Sequence, residues 1–168
     1  SKQICEGSRL IIDIAGRLPE EDAVYYDVSW CMNVGEKIDP EYKKWFQIVY
    51  DARKEARQFI QARLDAGEKV RGYEVDRRLK ERFEQLGCAQ YLMHRTGHNI
   101  GHRCHGIGAN LDDYETHDDR CLLPGTMFSI EPGLYTDKYG VRLEYDVHIT
   151  SEGETKVYGP VQDEILVI

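Results

Sequence analysis

The sequence contains no hydrophobic run near the roughly 18 residues of a membrane span, and its first residues, SKQICEGSRL, lack the layout of a signal peptide. It has no segment rich in lysine and arginine, and its formal net charge of −8 argues against nucleic acid as a partner. The five cysteines form no CxxC pair, so reduced thiols are expected rather than a disulfide framework. These absences predict a cytoplasmic protein without a membrane or nucleic-acid partner.

The composition is that of a globular chain. The 168 residues are 41% hydrophobic and 31% charged, and a chain of this length can enclose one hydrophobic core. We therefore expect residues 1–168 to form a single domain. The acidic balance also permits a cluster of carboxylates around a cation.

The hydrophobic pattern predicts strands and helices together, an α+β composition. A buried strand is predicted at 9–15 from its length and isoleucine content, and further strands are predicted at 23–34, 126–135, 141–150 and 163–168. Helical spacing of apolar residues predicts one helix that begins behind the N-cap Asp39 and ends near Gly67, and a second helix over 73–86. Both helices are amphipathic, so they should cover one face of a sheet.

Four acidic residues interrupt the apolar strand-like segments. They are Asp13, Asp27, Glu131 and Glu144. A carboxylate among buried apolar neighbours is strongly destabilising unless a cation or a metal ion compensates it. The alternative for any one of them is an acid near a strand end that reaches water.

Histidines are concentrated in one glycine-rich segment. His94, His98, His102 and His105 fall within twelve residues. Their spacing resembles a zinc-binding helix, but Gly97 and Gly101 disfavour a helix, and Asn99 stands where HExxH requires glutamate. A loop or irregular strand is therefore predicted. Cys104 is a candidate soft ligand, although a buried free thiol is the commoner case.

Together these residues form an oxygen-rich set of metal donors, four carboxylates with one or two imidazoles. Such a set suits Mn²⁺, with Co²⁺, Fe²⁺ or Zn²⁺ tolerated. Because carboxylates can bridge, four of them can hold two ions about 3.5–4 Å apart, as in metal-assisted hydrolysis.

The segment GVRLEYDV, residues 140–147, leaves two interpretations open. Strand alternation puts Arg142, Glu144 and Asp146 on one face and Tyr145 on the other. Three charges on one strand face belong either to a solvated surface or to the wall of a polar site.

The order of these segments resembles the metallopeptidases of the pita-bread fold, which include methionine aminopeptidase, aminopeptidase P and prolidase. The resemblance is carried by the two strand aspartates followed by GHNIG, SIEPGLY and VRLEYDV. IEPGLY and RLEYD look most like the Xaa-Pro branch, aminopeptidase P and prolidase. The implied architecture is an α+β pita-bread (creatinase/aminopeptidase) fold lacking its N-terminal part, with a curved antiparallel sheet covered by two amphipathic helices.

The resemblance also implies roles for individual residues. The implied metal ligands are Asp13, Asp27, His98, Glu131 and Glu144, with Asp27 and Glu144 bridging two divalent ions. A bridging hydroxide would attack the peptide bond, and Glu131 would carry its proton to the leaving amine. His94 and His105 would contact the substrate and the developing oxyanion. Arg142 would orient a ligand carboxylate from outside the ligand set.

The chain departs from the family pattern at the second aspartate and in its length. Asp27 follows Asp13 by a longer interval than in relatives, so Asp22 in the intervening turn is a competing second ligand. In relatives a further stretch precedes the first aspartate. The chain is therefore expected to be the catalytic C-terminal part of a longer protein, completed by another chain or by self-association.

The function implied is that of a dinuclear metallopeptidase, an Xaa-Pro aminopeptidase or dipeptidase acting on peptides with proline at P1′. Two alternatives stay open: a catalytically inactive binding module that keeps the fold, and a hydrolase of a non-peptide C–N bond.

Overall fold

Two long helices and nine short strands make up the part of the chain that the computed structural model describes, residues 3–168. The strands are β1 Arg9–Gly16, β2 Tyr26–Asn33, β3 Asn99–Ile100, β4 Met127–Ile130, β5 Gly133–Tyr135, β6 Gly140–Arg142, β7 Tyr145–Ile149, β8 Thr155–Val157 and β9 Leu166–Val167. The helices are α1 Pro40–Asp65 and α2 Gly72–Gln85, followed by a 3₁₀ turn, Ala89–Tyr91. Neither helix is long and apolar enough to cross a membrane.

The first helix begins where its capping residue predicts, and both helices end just before the predicted glycines. The Asp39 carboxylate accepts a hydrogen bond from the Glu41 backbone N–H at 2.9 Å, which satisfies one free donor of the first turn of α1. Gly67 and Gly87 follow the two helices with φ of +71° and +67°, a conformation that glycine adopts without steric cost. The predicted helix bounds are thus confirmed to within one residue or two.

The core lies between α1 and the strands. Tyr42, Phe46, Val49, Ala52, Ala56 and Ile60 form the buried stripe of α1. This stripe belongs to one continuous cluster with Phe128 and Ile130 of β4 and Val147 and Ile149 of β7. Burial of this apolar surface is the main stabilising contribution to the fold.

The strands form three sheets. β1, β2 and β9 form one, in which β1 runs antiparallel to β2 and the two-residue β9 pairs parallel to β2. β3, β4, β7 and β8 form an antiparallel sheet, and β5 pairs with β6. Of the C-terminal strand predicted at 163–168, only Leu166 and Val167 form a strand.

Two sequence predictions about the strands are wrong. The continuous strands expected at 126–135 and 141–150 are each interrupted, after Ile130 and after Arg142 respectively. β1, expected to be buried because of its isoleucines, is an edge strand whose second half is exposed, with Ile14 59% exposed. Among the described residues, β1 pairs with another strand on one side only, so part of its surface stays uncovered.

Candidate metal centre

A cavity of about 270 Å³ is lined by all eight residues to which the family resemblance assigns a role. It is lined by Asp13, Asp27, His94, His98, His105, Glu131, Arg142 and Glu144, together with Arg95 and Glu115. They come from segments distant in the sequence, so only the tertiary fold brings them together. The competing residue Asp22 is exposed in the turn between β1 and β2 and is not among the lining residues.

The two glutamates reach the cavity because two strand pairs are interrupted at the same level. Ile130 of β4 pairs with Tyr145 of β7, and Gly133 of β5 pairs with Arg142 of β6. Glu131 and Glu144 lie in the gap between these pairs, where the ladder is broken. A continuous ladder would have kept both residues in the regular alternation of the sheet.

His98 is held in place through its own backbone. Its N–H donates to Ser129 Oγ at 2.9 Å, and its carbonyl accepts from the Ser129 N–H at 2.8 Å. The imidazole Nε2 then lies 3.5 Å from Asp27 Oδ2 and 3.4 Å from Glu131 Oε1. The preceding residue must be glycine, because a Cβ on Gly97 would lie 2.0 Å from the Ser129 carbonyl oxygen.

The centre of the cluster has the composition of a metal site. One ligand atom from each of Asp27, His98 and Glu144 lies within 4.8 Å of the others, and all three residues are buried. Asp27 Oδ1 and Glu144 Oε1 are buried and have no hydrogen-bond partner among the described residues. Such oxygens are costly to bury unsatisfied, and a divalent cation satisfies both at once. The residues present therefore fit a metal ion.

The electrostatics of the cluster also favour a bound cation. Burial and the negative charges of Glu131 and Asp27 raise the pKa of Glu144 to about 9. Burial, which is opposed in part by a hydrogen bond from the Asp27 N–H, raises the pKa of Asp146 to about 7. Burial opposes charge on His98, but the Asp27 and Glu131 carboxylates outweigh it and raise the pKa of this imidazole. If all these carboxylates were ionised, the cluster would carry more negative charge than the nearby protein cations neutralise.

Arg142 contacts the acidic cluster by two routes. Its guanidinium forms an ion pair with Asp13, and its Nε donates to Ser29 Oγ at 3.0 Å. The Ser29 hydroxyl donates in turn to Glu144 Oε2 at 2.7 Å. Arg142 therefore contacts two of the acids, one directly and one through Ser29.

The sequence reasoning missed Ser29 beside the cavity and left Asp146 and Cys104 without a definite role. Ser29 lies two residues after Asp27, so strand alternation alone could have placed it on the same face. Asp146 Oδ2 accepts from the Asp27 N–H at 2.8 Å, and this buried residue ties β2 to β7. The Cys104 thiol donates to Asp27 Oδ2 at 2.9 Å, a contact between a loop and a strand that no local pattern reveals.

The two additional histidines stand in different surroundings. His94 Nε2 lies 2.7 Å from the Tyr135 hydroxyl, and burial lowers the pKa of this imidazole. The His105 ring lies 4.2 Å from the ring of His98, edge to face, and burial lowers its pKa also. His102, the fourth histidine of the segment, is exposed and is not among the lining residues.

Comparison with known proteins gives relatives of one kind. The probable dipeptidase PepE of Mycobacterium tuberculosis is 28% identical over 158 residues, which cover 93% of this chain and 38% of that protein. The Xaa-Pro dipeptidase of Pyrococcus furiosus is 26% identical over 157 residues, with 93% and 41% covered. The chain thus spans about two fifths of the length of the curated relatives it matches.

A solved structure and a family model agree with these relatives. The crystal structure of a dipeptidase from Pyrococcus horikoshii superposes with a TM-score of 0.82 at 27% identity, over 99% of this chain and 43% of that chain. This match confirms the predicted α+β pita-bread fold. The model of metallopeptidase family M24 matches residues 1–151. The chain therefore belongs to metallopeptidase family M24.

Proposed function

We propose that the chain is the catalytic portion of a dinuclear metal-dependent peptidase, an Xaa-Pro dipeptidase or aminopeptidase. The observation that carries the proposal is the convergence of five metal donors on one cavity, where Asp27 and Glu144 each have a buried oxygen that no described residue hydrogen-bonds. Residues 1–168 would act as one catalytic domain of a longer cytosolic protein.

The proposed ligand set divides between two ions. Asp27 and Glu144 would bridge them, since each has one buried oxygen without a hydrogen-bond partner within residues 3–168. Asp13 would bind one ion. His98 would bind one of the two ions, and Glu131 would bind the other. The donors are mainly oxygen, which favours manganese over cobalt, zinc or iron.

The residues around these ions have distinct proposed tasks. When bound, the two ions supply Lewis acidity that activates water and polarises a carbonyl. Glu131 would accept the proton of the attacking water and deliver it to the leaving amine, because its side chain lines the cavity and burial raises its pKa. His94 and His105 would hydrogen-bond the substrate and its developing oxyanion.

The proposed substrate is a peptide with proline at P1′. Support comes from the Pyrococcus furiosus relative, which is named an Xaa-Pro dipeptidase, and from the IEPGLY and RLEYD segments that resemble the same branch. Arg95 and Glu115, 3.0 Å apart as an ion pair, line the same cavity and would border the bound peptide.

Metal content and hydrolysis test the proposal together. Elemental analysis should find about two transition-metal ions per chain, and Mn²⁺ should stimulate cleavage of Ala-Pro or of an Xaa-Pro-Xaa tripeptide. Glu131→Gln should lower the rate about 10²–10⁴-fold while circular dichroism stays unchanged, because the proton carrier is lost. Glu152→Gln, which changes an exposed acid, is the control. Undiminished cleavage by the Glu131 variant would contradict the assigned role.

A binding module is the second candidate function. It is favoured by one observation: Asp13, a proposed ligand, lies on an edge strand with its side chain 52% exposed. Tight metal binding without cleavage of proline peptides or other amides would support it.

A further inference from the structure

A second cavity, of about 320 Å³, lies between the middle of α1, β7, β8 and the segment that follows β8. Its lining includes Tyr50, Arg53, Lys54, Arg57, Tyr145 and Asp163, and it shares no residue with the candidate metal centre. Its lining holds three cations and one acid, in a chain whose net charge is −8. The local charge is therefore opposite in sign to that of the whole molecule.

Arg53 is the unusual residue of this cavity. Its side chain is fully buried, and its guanidinium lies between two tyrosine rings, 4.6 Å from the centroid of Tyr145 and 5.5 Å from that of Tyr50. Nη2 donates to the Gln162 carbonyl at 2.6 Å, whereas Nε and Nη1 have no partner among the described residues. A buried cation with two unsatisfied donors is destabilising unless an acceptor reaches it.

No carboxylate of the described chain neutralises these cations directly. Arg53, Lys54 and Arg57 form no ion pair within residues 3–168. The one acid in the lining, Asp163, accepts a hydrogen bond from the Tyr50 hydroxyl at 3.3 Å. Arg57 donates instead to Thr155, through Nη2 to its carbonyl oxygen at 2.8 Å. A negatively charged hydrogen-bond acceptor from outside the chain would therefore neutralise the charge of the cavity.

We propose that this cavity binds a small oxyanion, a phosphate or a carboxylate group, between Arg53, Lys54 and Arg57. Guanidinium N–H groups donate charge-assisted hydrogen bonds to such a group, and either free donor of Arg53 can supply one. Lys54 is exposed and Arg57 half-buried, so positive charge extends from solvent to the buried guanidinium. The ring of Tyr50 would turn aside as the anion enters, because Nε and Nη1 are shielded from solvent.

Inorganic phosphate added to the metal-free chain tests the proposal, with chloride at the same ionic strength as the reference and acetate to separate carboxylate from phosphate. Phosphate or acetate should raise the melting temperature above that in chloride, since a ligand that binds only the folded state stabilises it. Titration calorimetry should show one site. A melting temperature that responds to ionic strength alone would overturn the proposal.

Variants locate the site. Lys54→Gln with Arg57→Gln should weaken the binding by about tenfold or more, since two charged donors are removed. The matched control, Lys44→Gln with Lys80→Gln, removes the same charge from exposed residues outside the cavity and should bind as the parent does. Equal binding by both pairs would overturn the assignment. Arg53→Met should abolish binding. If this variant fails to fold, the comparison between the two double variants tests the proposal by itself.

Discussion

At the scale of single residues, the candidate metal centre is defined by carboxylates that the fold shields from water. Asp27 and Glu144 are 5% and 2% exposed, and each has an oxygen without a hydrogen-bond partner in the part of the chain that the structure describes. Asp13 differs, because it lies on an edge strand and is held by its ion pair with Arg142. The same residue type therefore has two environments within one cluster.

Metal binding should release protons at neutral pH. Burial and the neighbouring carboxylates raise the pKa of Glu144 from its ordinary 4.5 to about 9 when no metal is bound, which favours the protonated carboxyl at pH 7, and this proton must leave before the group becomes a ligand. Calorimetric titration with Mn²⁺ at pH 7, in two buffers of different ionisation enthalpy, should show release of about one proton or more. The release should diminish as the pH rises through 9.

The Glu144→Gln variant should release fewer protons and bind the metal more weakly, because the titrating ligand is gone. Glu154→Gln, a change in an exposed acid, serves as the control. A titration without proton release by the parent chain would show that Glu144 is ionised before the metal arrives.

At the scale of elements, close approach of backbones positions the ligands. Gly97 packs against the Ser129 carbonyl, and this contact sets the pairing that brings His98 beside Glu131. The break between the two strand pairs also positions ligands. Glu131 and Glu144 both lie in this break, at the same height in the sheet.

Replacement of Gly97 by alanine should destabilise the fold and the metal site together. The added Cβ would lie 2.0 Å from the Ser129 oxygen, so backbone must move, at a cost of about 1–3 kcal/mol in the free energy of unfolding. Urea denaturation measures the loss. Gly101→Ala is the matched control in the same segment, because its Cβ would meet nothing within 4 Å. Equal losses in the two variants would contradict the steric explanation.

At the scale of the whole molecule, the first sheet ends in an exposed edge. No strand within residues 3–168 pairs with the outer side of β1, and large apolar side chains are exposed on β1 and in the segment that follows it. These are Ile12, Ile14, Leu18 and Val24. Edges of this kind favour association with a further strand. The relatives are more than twice as long as the region that matches this chain, so they contain additional residues outside that region.

We expect the isolated chain to self-associate, or to bind a complementing chain, through β1. Light scattering coupled to size exclusion should give a mass above 19.5 kDa. Ile14→Lys should shift the mass towards the monomer, because a charge on the exposed face opposes pairing. Leu123→Lys alters a comparably exposed apolar residue elsewhere and should leave the mass unchanged. A stable monomer would contradict the prediction.

The sequence alone determined the helices, their ends, the residue types of the cavity and, through its ordered motifs, the family. These features follow from local rules, since periodicity, capping and motif spacing act over a few residues. Only the tertiary structure decided that Asp22 stays outside the cavity while Asp27 lines it, that β1 is exposed, and that Ser29, Cys104 and Asp146 support Asp27 and Glu144. Those outcomes depend on contacts between segments up to 119 residues apart, and strand pairing rather than local pattern sets such contacts.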